Sequence, residues 1–256
     1  MSKTLKSIES PEDFTNEQLA ELISSMLYQI MVHHTMYFRE VEHQFGITKA
    51  LEIMDRVWEK SFTLQMKRLG NILGFTMENN IPKPLLNVDR DTLLALVKGI
   101  GKNWLTADGI WFQAVENRYT ILDAQRCAGC AVMRFCAFEA WSIKKLLSLP
   151  ENAGLDGLKQ ALNFRMYHQI NVQSVIEVNP HSIVFQMNEC IVQDTRKQKG
   201  LDDYPCKSTG IMEYRSFASI IDPRIVTECI GCPPDDHPEE WYCAWRFTIP
   251  NNVDTD

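Results

Sequence analysis

The sequence predicts an α+β protein, in which an N-terminal helical domain with an internal two-fold repeat precedes a small antiparallel β-sheet domain packed with two helices. Apolar residues recur at helical spacing in the first part, whereas β-branched segments separated by turn residues follow Pro150. In addition, one segment of the helical part occurs twice. We therefore place a helical repeat domain at 1–150 and a cysteine-rich α+β domain at 151–256.

The first helix has a clear start signal. Thr15 and Gln18 stand at the spacing of a capping box, in which each side chain binds a backbone N–H group that the helix leaves free. Apolar residues then recur every three or four positions, and we expect this helix to end near Gly46. A second helix is predicted from Thr48 to about Leu73.

An internal repeat relates segment 37–50, YFREVEHQFGITKA, to segment 111–124, WFQAVENRYTILDA. Five of the fourteen aligned positions are identical, among them Phe38 with Phe112 and Glu42 with Glu116. Similarity at a fixed offset indicates a structural unit that is used twice. We predict two helical pairs, the later one continuing into CAGCAVMRFCAFEAWSIKKLL.

The second domain combines strands and helices. A β-hairpin is predicted from SVIEV and IVFQMNECIV around the turn NPHS, and two further strands from RIVTEC and WYCAWRFTI. Helices are predicted from Leu155 to about His168 and over 207–222. Four antiparallel strands covered by two helices fit this order.

Composition and charge argue against several classes of function. The formal net charge of −7 disfavours nucleic acid as a partner, because phosphate binding depends on clustered lysine and arginine. No apolar run approaches the ~20 residues that span a bilayer, and MSKTLKSIESPEDF lacks the apolar core of a signal peptide. We expect a cytoplasmic protein without a membrane partner, whose eight cysteines are thiols or metal ligands rather than disulfides.

Three cysteines and a histidine crowd the segment ECIGCPPDDHPEEWYCAWRF. Cys229, Cys232, His237 and Cys243 could form a zinc site, since two thiolates in a CxxC turn can bind one ion and three cysteines with one histidine complete a tetrahedral set. A redox-active dithiol and a segment without any cofactor are the alternatives. On a strand, Cys243 shares a face with Trp245, which predicts a buried side chain instead.

Cys206 precedes a predicted helix, where unpaired N–H groups and the helix dipole lower the pKa of a thiol. It is the best candidate nucleophile, and it could also complete a metal site with Cys229 and Cys232; the alternative is a cysteine that only packs at the start of the helix. The second CxxC motif, Cys127 to Cys130, lies inside a helical pattern. Residues three apart are neighbours on a helix, so a thiol pair is one alternative, but we interpret these cysteines as small residues of the helical core.

Acidic and aromatic residues recur in the two copies of the repeat. Glu42 and Glu116 occupy matching positions. Inward carboxylates on packed helices are typical of acid–base and metal sites, but also of buried, hydrogen-bonded glutamates. Trp111 and Phe112 could line an apolar ligand pocket, although the same aromatic stripe is typical of an ordinary helical core.

The segment from CKSTG to CAWRF resembles two families. One is the L-2-amino-thiazoline-4-carboxylic acid hydrolase-like family of bacterial cytosolic proteins, and the other is the 4-vinyl reductase small-molecule-binding module. Cys206, Cys229 or Cys232, and CAWRF carry the resemblance. The sequence departs from the pattern by Trp245, which replaces phenylalanine, and by its long acidic Pro-Pro loop. The resemblance implies a small-molecule site near the sheet, with a metal held by cysteines.

These features predict a cytosolic small-molecule-binding protein with a cysteine-ligated zinc ion. As an enzyme it would hydrolyse a C–N bond in a small cyclic acid. Metal-activated water or the Cys206 thiolate would attack, and Glu116 or Glu42 would move protons. The alternative is a non-catalytic ligand or redox sensor that uses the same thiols. The sequence leaves a homodimer open.

Overall fold

The computed structural model describes residues 9–200 and 202–250. Residues 1–8, which carry part of the argument against a signal peptide, lie outside these ranges. The chain forms two compact units, the first ending at Asn80 and the second beginning at Ile81. Within the described ranges, no helix is long and apolar enough to cross a membrane.

The first unit consists mainly of a helical hairpin. The Gln18 backbone N–H donates to the Thr15 hydroxyl (3.3 Å) and the Thr15 N–H donates to the Gln18 side chain (2.9 Å), which confirms the capping box. Gly46 separates the two helices at the predicted position, in a conformation with a φ of +82° that favours glycine. A short 3-10 turn, Pro11–Asp13, precedes α1 (Asn16–Phe45), which is followed by α2 (Ile47–Leu73) and β1 (Met77–Glu78).

The second unit opens with another helical pair. The Asp89 carboxylate and the Thr120 hydroxyl accept backbone N–H groups at the starts of its two long helices, at 2.9 and 3.1 Å. The elements are β2 (Ile81–Pro82), α3 (Lys83–Leu86), α4 (Arg90–Arg118) and α5 (Ile121–Leu146). In the predicted repeat, Tyr119 aligns with Phe45. The break between α4 and α5 at Tyr119 therefore matches the break between α1 and α2 after Phe45, which confirms the repeat of helical pairs.

A four-stranded sheet completes the second unit. The remaining elements are α6 (Gly154–Leu162), a 3-10 turn (Tyr167–Gln169), β3 (Val172–Asn179), β4 (Ser182–Glu189), α7 (Ile191–Gln198), α8 (Lys207–Ile221), β5 (Val226–Gly231) and β6 (Cys243–Thr248). The strands are antiparallel in the order β3-β4-β6-β5, which confirms the predicted hairpin and the two later strands.

The predicted second strand of the hairpin is too long. It was expected to include Val192, but β4 ends at Glu189 and Ile191 begins α7. The Ile191 backbone N–H donates to the Asn171 side chain (3.0 Å) instead of to a neighbouring strand. The first N–H groups of a helix have no partner within the helix, and this bond satisfies one of them.

The core of the second unit lies between the sheet and two helices, α5 and α8. Helix α5 was predicted to belong to the N-terminal domain, yet its buried face shares this core. The compact units therefore divide at Asn80 and not at residue 150. The core residues include Cys136, Ala140 and Ile143 of α5, Tyr214, Phe217 and Ile221 of α8, and Phe185, Trp245 and Phe247 of the sheet.

Candidate functional site

The second unit contains a cavity of about 660 Å³. Small-molecule sites typically enclose ~300–1,000 Å³, so this volume suits a metabolite-sized ligand. Its walls come from α4, α5, β4, α7, α8 and β6. The polar residues that line it include Asp108, Glu116, Gln193, Thr209 and Glu213, together with Cys190, Cys206, Cys232 and Cys243.

One wall is formed by the first turns of α8. Cys206, Gly210 and Glu213 line the cavity and are spaced by four and three residues, which places them on one side of the helix. A Cβ atom at Gly210 would lie only 2.6 Å from Cζ2 of Trp245, so the glycine lets the indole pack directly against the helix. The Trp245 Nε1 is buried without a hydrogen-bond partner in the described part of the chain. A ligand that offers an acceptor here would remove an energetic cost of about 1–3 kcal/mol.

Three thiols meet at this wall. The Sγ atoms of Cys206 and Cys232 lie 3.5 Å apart, and Cys243 lines the same cavity. The bond from Cys232 lowers the pKa of the Cys206 thiol even though burial raises it. The contacts with Cys206 and Cys243 raise the pKa of Cys232. Cys206 is therefore the first of these two thiols to ionise, which is the property that a nucleophile or a metal ligand requires.

The position of Cys206 is fixed from both sides. The buried Gln193 amide accepts the Tyr204 backbone N–H (2.8 Å) and donates to the Tyr204 carbonyl (2.9 Å), and its Nε2 lies 3.6 Å from the Cys206 Sγ. On the other side, the Lys207 backbone N–H donates to the Pro233 carbonyl (2.9 Å). This bond ties the start of α8 to the turn after β5, which carries the partner thiol.

Two of the predicted metal ligands, Cys229 and His237, do not line the cavity. Cys229 lies on β5 outside the lining of the cavity, and burial raises its pKa to about 11. The Nε2 of His237 lies 3.2 Å from the Asp203 carboxylate and its Nδ1 lies 2.9 Å from the Pro238 carbonyl. Within residues 9–200 and 202–250, no group of three or more histidine, cysteine or acidic side chains is arranged to hold a metal ion.

The two predicted catalytic glutamates belong to different units. Glu116 lines the cavity from α4, as does Asp108, whose pKa is raised by burial. Glu42 lies in the first unit, where its carboxylate forms an ion pair with Arg39. Glu116 is therefore the one of the pair that lines the same cavity as the thiols.

Glu213 is a buried cavity residue that the sequence reasoning missed. It is 7% exposed, and burial raises its pKa. Its carboxylate lies 2.8 Å from the Arg165 guanidinium, which also donates to Glu139 (2.9 Å) and to the Cys136 Sγ (3.3 Å). One guanidinium thus serves two buried carboxylates. The spacing of seven residues from Cys206 on a predicted helix was a signal that could have identified Glu213.

Of the two aromatic residues of α4 that were predicted to line a pocket, only Phe112 lines the cavity. Phe112 lines it and packs edge-to-face on Tyr204, with ring centroids 5.1 Å apart. Burial raises the pKa of the Tyr204 hydroxyl to about 12, so it remains protonated. Trp111, the other predicted pocket residue, is 68% exposed and does not line the cavity.

The CxxC motif in α5 is not part of the core, contrary to the interpretation from sequence. Cys127 and Cys130 are exposed, because their side of α5 faces away from α8 and the sheet. Cys136 is buried, as a helical core residue would be. All eight thiols of the chain are free.

Comparison with known families places the cavity inside a recognised domain. Residues 86–249 match the family model described as a family of unknown function (DUF6125). This range contains α4 to β6 and hence every wall of the cavity, whereas the helical hairpin of the first unit lies outside it. No curated protein and no solved structure matches the chain.

Proposed function

Because the chain belongs to DUF6125, a family of unknown function, we propose its function from the geometry: it binds a small molecule in the cavity of the second unit, next to a reactive thiol. The observation that carries this proposal is the coincidence of three features in one place. The cavity has the volume of a ligand site, Cys206 in its wall has a lowered pKa, and Trp245 leaves a buried donor unpaired. Perturbed titratable groups in a cleft are typical of functional sites.

We further propose that two of the thiols, Cys206 and Cys232, bind a zinc ion. Thiolate is a preferred zinc ligand, and at a Zn–S distance of ~2.3 Å two sulfurs of a tetrahedral site lie about 3.8 Å apart. The Sγ separation of 3.5 Å between Cys206 and Cys232 is close to that value. A bound zinc ion would supply a Lewis acid at the wall of the cavity.

In the enzymatic form of the proposal, the chain hydrolyses a C–N bond in a small cyclic acid. In the metal-free form, the Cys206 thiolate attacks the carbon, the C–N bond breaks, and water releases the product from sulfur. Glu116 on α4 and Glu213 on α8 both line the cavity, so each can donate a proton to the departing nitrogen or take one from water. Glu213 takes the role that the sequence analysis gave to Glu42.

A second candidate function, a redox sensor, is favoured by the same sulfur–sulfur contact. Oxidation by a peroxide would join the two Sγ atoms in a disulfide, with loss of two protons and two electrons, and would reduce the peroxide to water. Cys206 would be the attacking thiol, because its pKa is the lower of the two. The chain would then report on ligand and oxidant without turnover.

The ligand proposal is tested by filling the cavity. Gly109 lines it, and a Cβ atom there would meet nothing within 4 Å, so Gly109→Trp should project an indole into the space without a backbone clash. Gly99 lies on the same helix, is equally open and does not line the cavity, so Gly99→Trp is the matched control. The assay is thermal unfolding with a panel of small cyclic acids, amines and amidines.

A compound present at a hundred times its Kd stabilises the folded state by ~2.7 kcal/mol. We expect this stabilisation in the wild type and in Gly99→Trp, and its loss in Gly109→Trp. Stabilisation that survives in both variants would place the ligand elsewhere. Product formation from the same compounds distinguishes a hydrolase from a sensor.

The zinc proposal is tested by metal analysis of anaerobically purified protein. We expect one zinc ion per chain in the wild type, and its loss in Cys206→Ser and Cys232→Ser. The double variant Cys127→Ser/Cys130→Ser removes two exposed thiols and should keep the metal. Absence of zinc from the wild type, or full occupancy after substitution of Cys206, would contradict the proposal.

A further inference from the structure

The first unit leaves apolar side chains along one face of α1 exposed. Ile23, Leu27, Ile30 and Tyr37 recur at spacings of three, four and seven residues, which places them on one side of the helix. They are between 42% and 67% exposed. An apolar stripe of this kind, interrupted here by His34, is normally covered by another element.

Helix α2 adds a second apolar stripe. Ile53, Val57 and Leu64 lie on one side of it, and they are between 39% and 48% exposed. Where the two stripes meet, a groove of about 280 Å³ opens between the helices, lined by Tyr37 and Val41 from α1 and by Ile53 and Val57 from α2. We call this surface, made by the two stripes and the groove, the hairpin face.

The hairpin buries very little by itself. Among the described residues of α1 and α2, only Ala50, Leu51 and Gly70 are buried. Most of the stability of a protein helix comes from packing of its apolar face, because helix propensity alone is insufficient in water. In the second copy of the repeat, α5 takes the place that α2 has in the first copy. In contrast to α2, α5 buries its apolar face against α8 and the sheet.

We infer that the hairpin face binds the hairpin face of a second copy of this chain, so that two hairpins form a four-helix bundle. The seven exposed side chains of the two stripes offer roughly 100 Å² each, or about 700 Å² per chain. This is close to the ~800 Å² that each partner contributes to a standard stable interface. A two-fold axis through the groove makes the surface complementary to itself.

The charges of the two helices favour the same arrangement. Helix α1 carries four glutamates and one arginine, whereas α2 carries five basic and three acidic residues. Antiparallel pairing places the acidic α1 of one chain beside the basic α2 of the other, which stabilises the correct register at the rim of the interface. The hairpin lies outside residues 86–249, so this dimer unit is attached to the cavity domain rather than part of it.

The test compares two tyrosines on the same helix. Tyr37 lines the groove, whereas Tyr28, nine residues earlier, lies on the opposite side of α1; they are 67% and 56% exposed. Tyr37→Glu places a charge in the proposed interface, and Tyr28→Glu places the same charge on the solvent side. The mass of the full chain is measured by analytical ultracentrifugation over a range of concentrations, and circular dichroism monitors helix content.

We expect the wild type and Tyr28→Glu to sediment with twice the mass of one chain. For Tyr37→Glu, the dimer dissociation constant should rise more than about tenfold, because a buried unpaired charge costs at least ~1.4 kcal/mol. A wild type that remains a single chain at every concentration would overturn the inference without any variant. Equal dissociation of both variants would also overturn it.

Discussion

Replacement of Gly210 by alanine should destabilise the wall of the cavity although it improves helix propensity. Gly210 is the fourth residue of α8, and the Cβ atom of alanine would lie 2.6 Å from Cζ2 and 3.1 Å from Cη2 of Trp245. The indole is held in place by stacking on the buried Tyr214 ring, with centroids 4.8 Å apart, so moving it away from the helix disrupts this contact. The ring and the helix must separate by several tenths of an ångström or the tryptophan must leave its rotamer.

The magnitude follows from two opposing terms. Extra methyl groups in a close-packed core cost ~1–3 kcal/mol. Replacing glycine by alanine inside a helix stabilises by up to ~1 kcal/mol. Because the gain offsets up to ~1 kcal/mol of the cost, we expect Gly210→Ala to lower the free energy of unfolding by up to about 2 kcal/mol.

The assay is urea denaturation, in which the midpoint should fall while the slope m stays unchanged. Gly99→Ala is the matched control, because its Cβ would meet nothing within 4 Å, and it should stabilise by ~0.5–1 kcal/mol. In the double variant Gly210→Ala/Trp245→Phe the smaller ring removes the clash, so the loss should be less than the sum of the single losses. A Gly210→Ala protein as stable as Gly99→Ala would refute the packing described for Trp245.

Two further predictions concern the buried charges and the thiols. Arg165→Met should lower the free energy of unfolding by ~3–5 kcal/mol, because it leaves the buried carboxylates of Glu139 and Glu213 without their cation. Urea denaturation measures this loss. A change below ~1 kcal/mol would contradict the prediction. In metal-free protein, alkylation of Cys206 should titrate below the pH of an ordinary thiol, because the Cys232 thiol donates to it and lowers its pKa. Cys232→Ala removes that donor and should move the rate profile to higher pH, whereas an unchanged profile would show that the contact does not control ionisation.

The sequence could predict the fold where local signals are strong. Thr15 and Gln18 predict the start of the first helix, and Gly46 predicts its end. The repeat of segment 37–50 predicts the second helical pair at the correct position. Helix α7 was missed because its start depends on a bond to Asn171, a residue that lies far away in the chain and gives no local signal.

The domain boundary shows the same limit. Both α2 and α5 show helical periodicity and follow a copy of the repeat, so pattern reasoning assigns both to one helical domain. Only tertiary packing decides that α5 shares a core with α8 and the sheet. Pattern reasoning reports which face of a helix is apolar but not what covers it.

At the candidate site, sequence spacing identified the residue types but not their grouping. Cys206 and Cys232 were candidates because of a helix start and a CxxC turn, and the fold brings their Sγ atoms to 3.5 Å. His237 was a candidate only through its proximity in sequence, and its ring instead binds Asp203. Gln193, which fixes the backbone before Cys206, lies on the helix that was not predicted.

The most direct test of the central proposal, a ligand and a reactive thiol in one cavity, is protection of Cys206 from alkylation. Metal-free protein is treated with iodoacetamide, with and without the compound from the cyclic panel that stabilises it most, and each cysteine is quantified by mass spectrometry. The bound compound should slow alkylation of Cys206 by more than about tenfold at saturation. The exposed Cys127 and Cys130 should react at unchanged rates and serve as internal controls. A compound that stabilises the protein but leaves the alkylation of Cys206 unchanged would contradict the account.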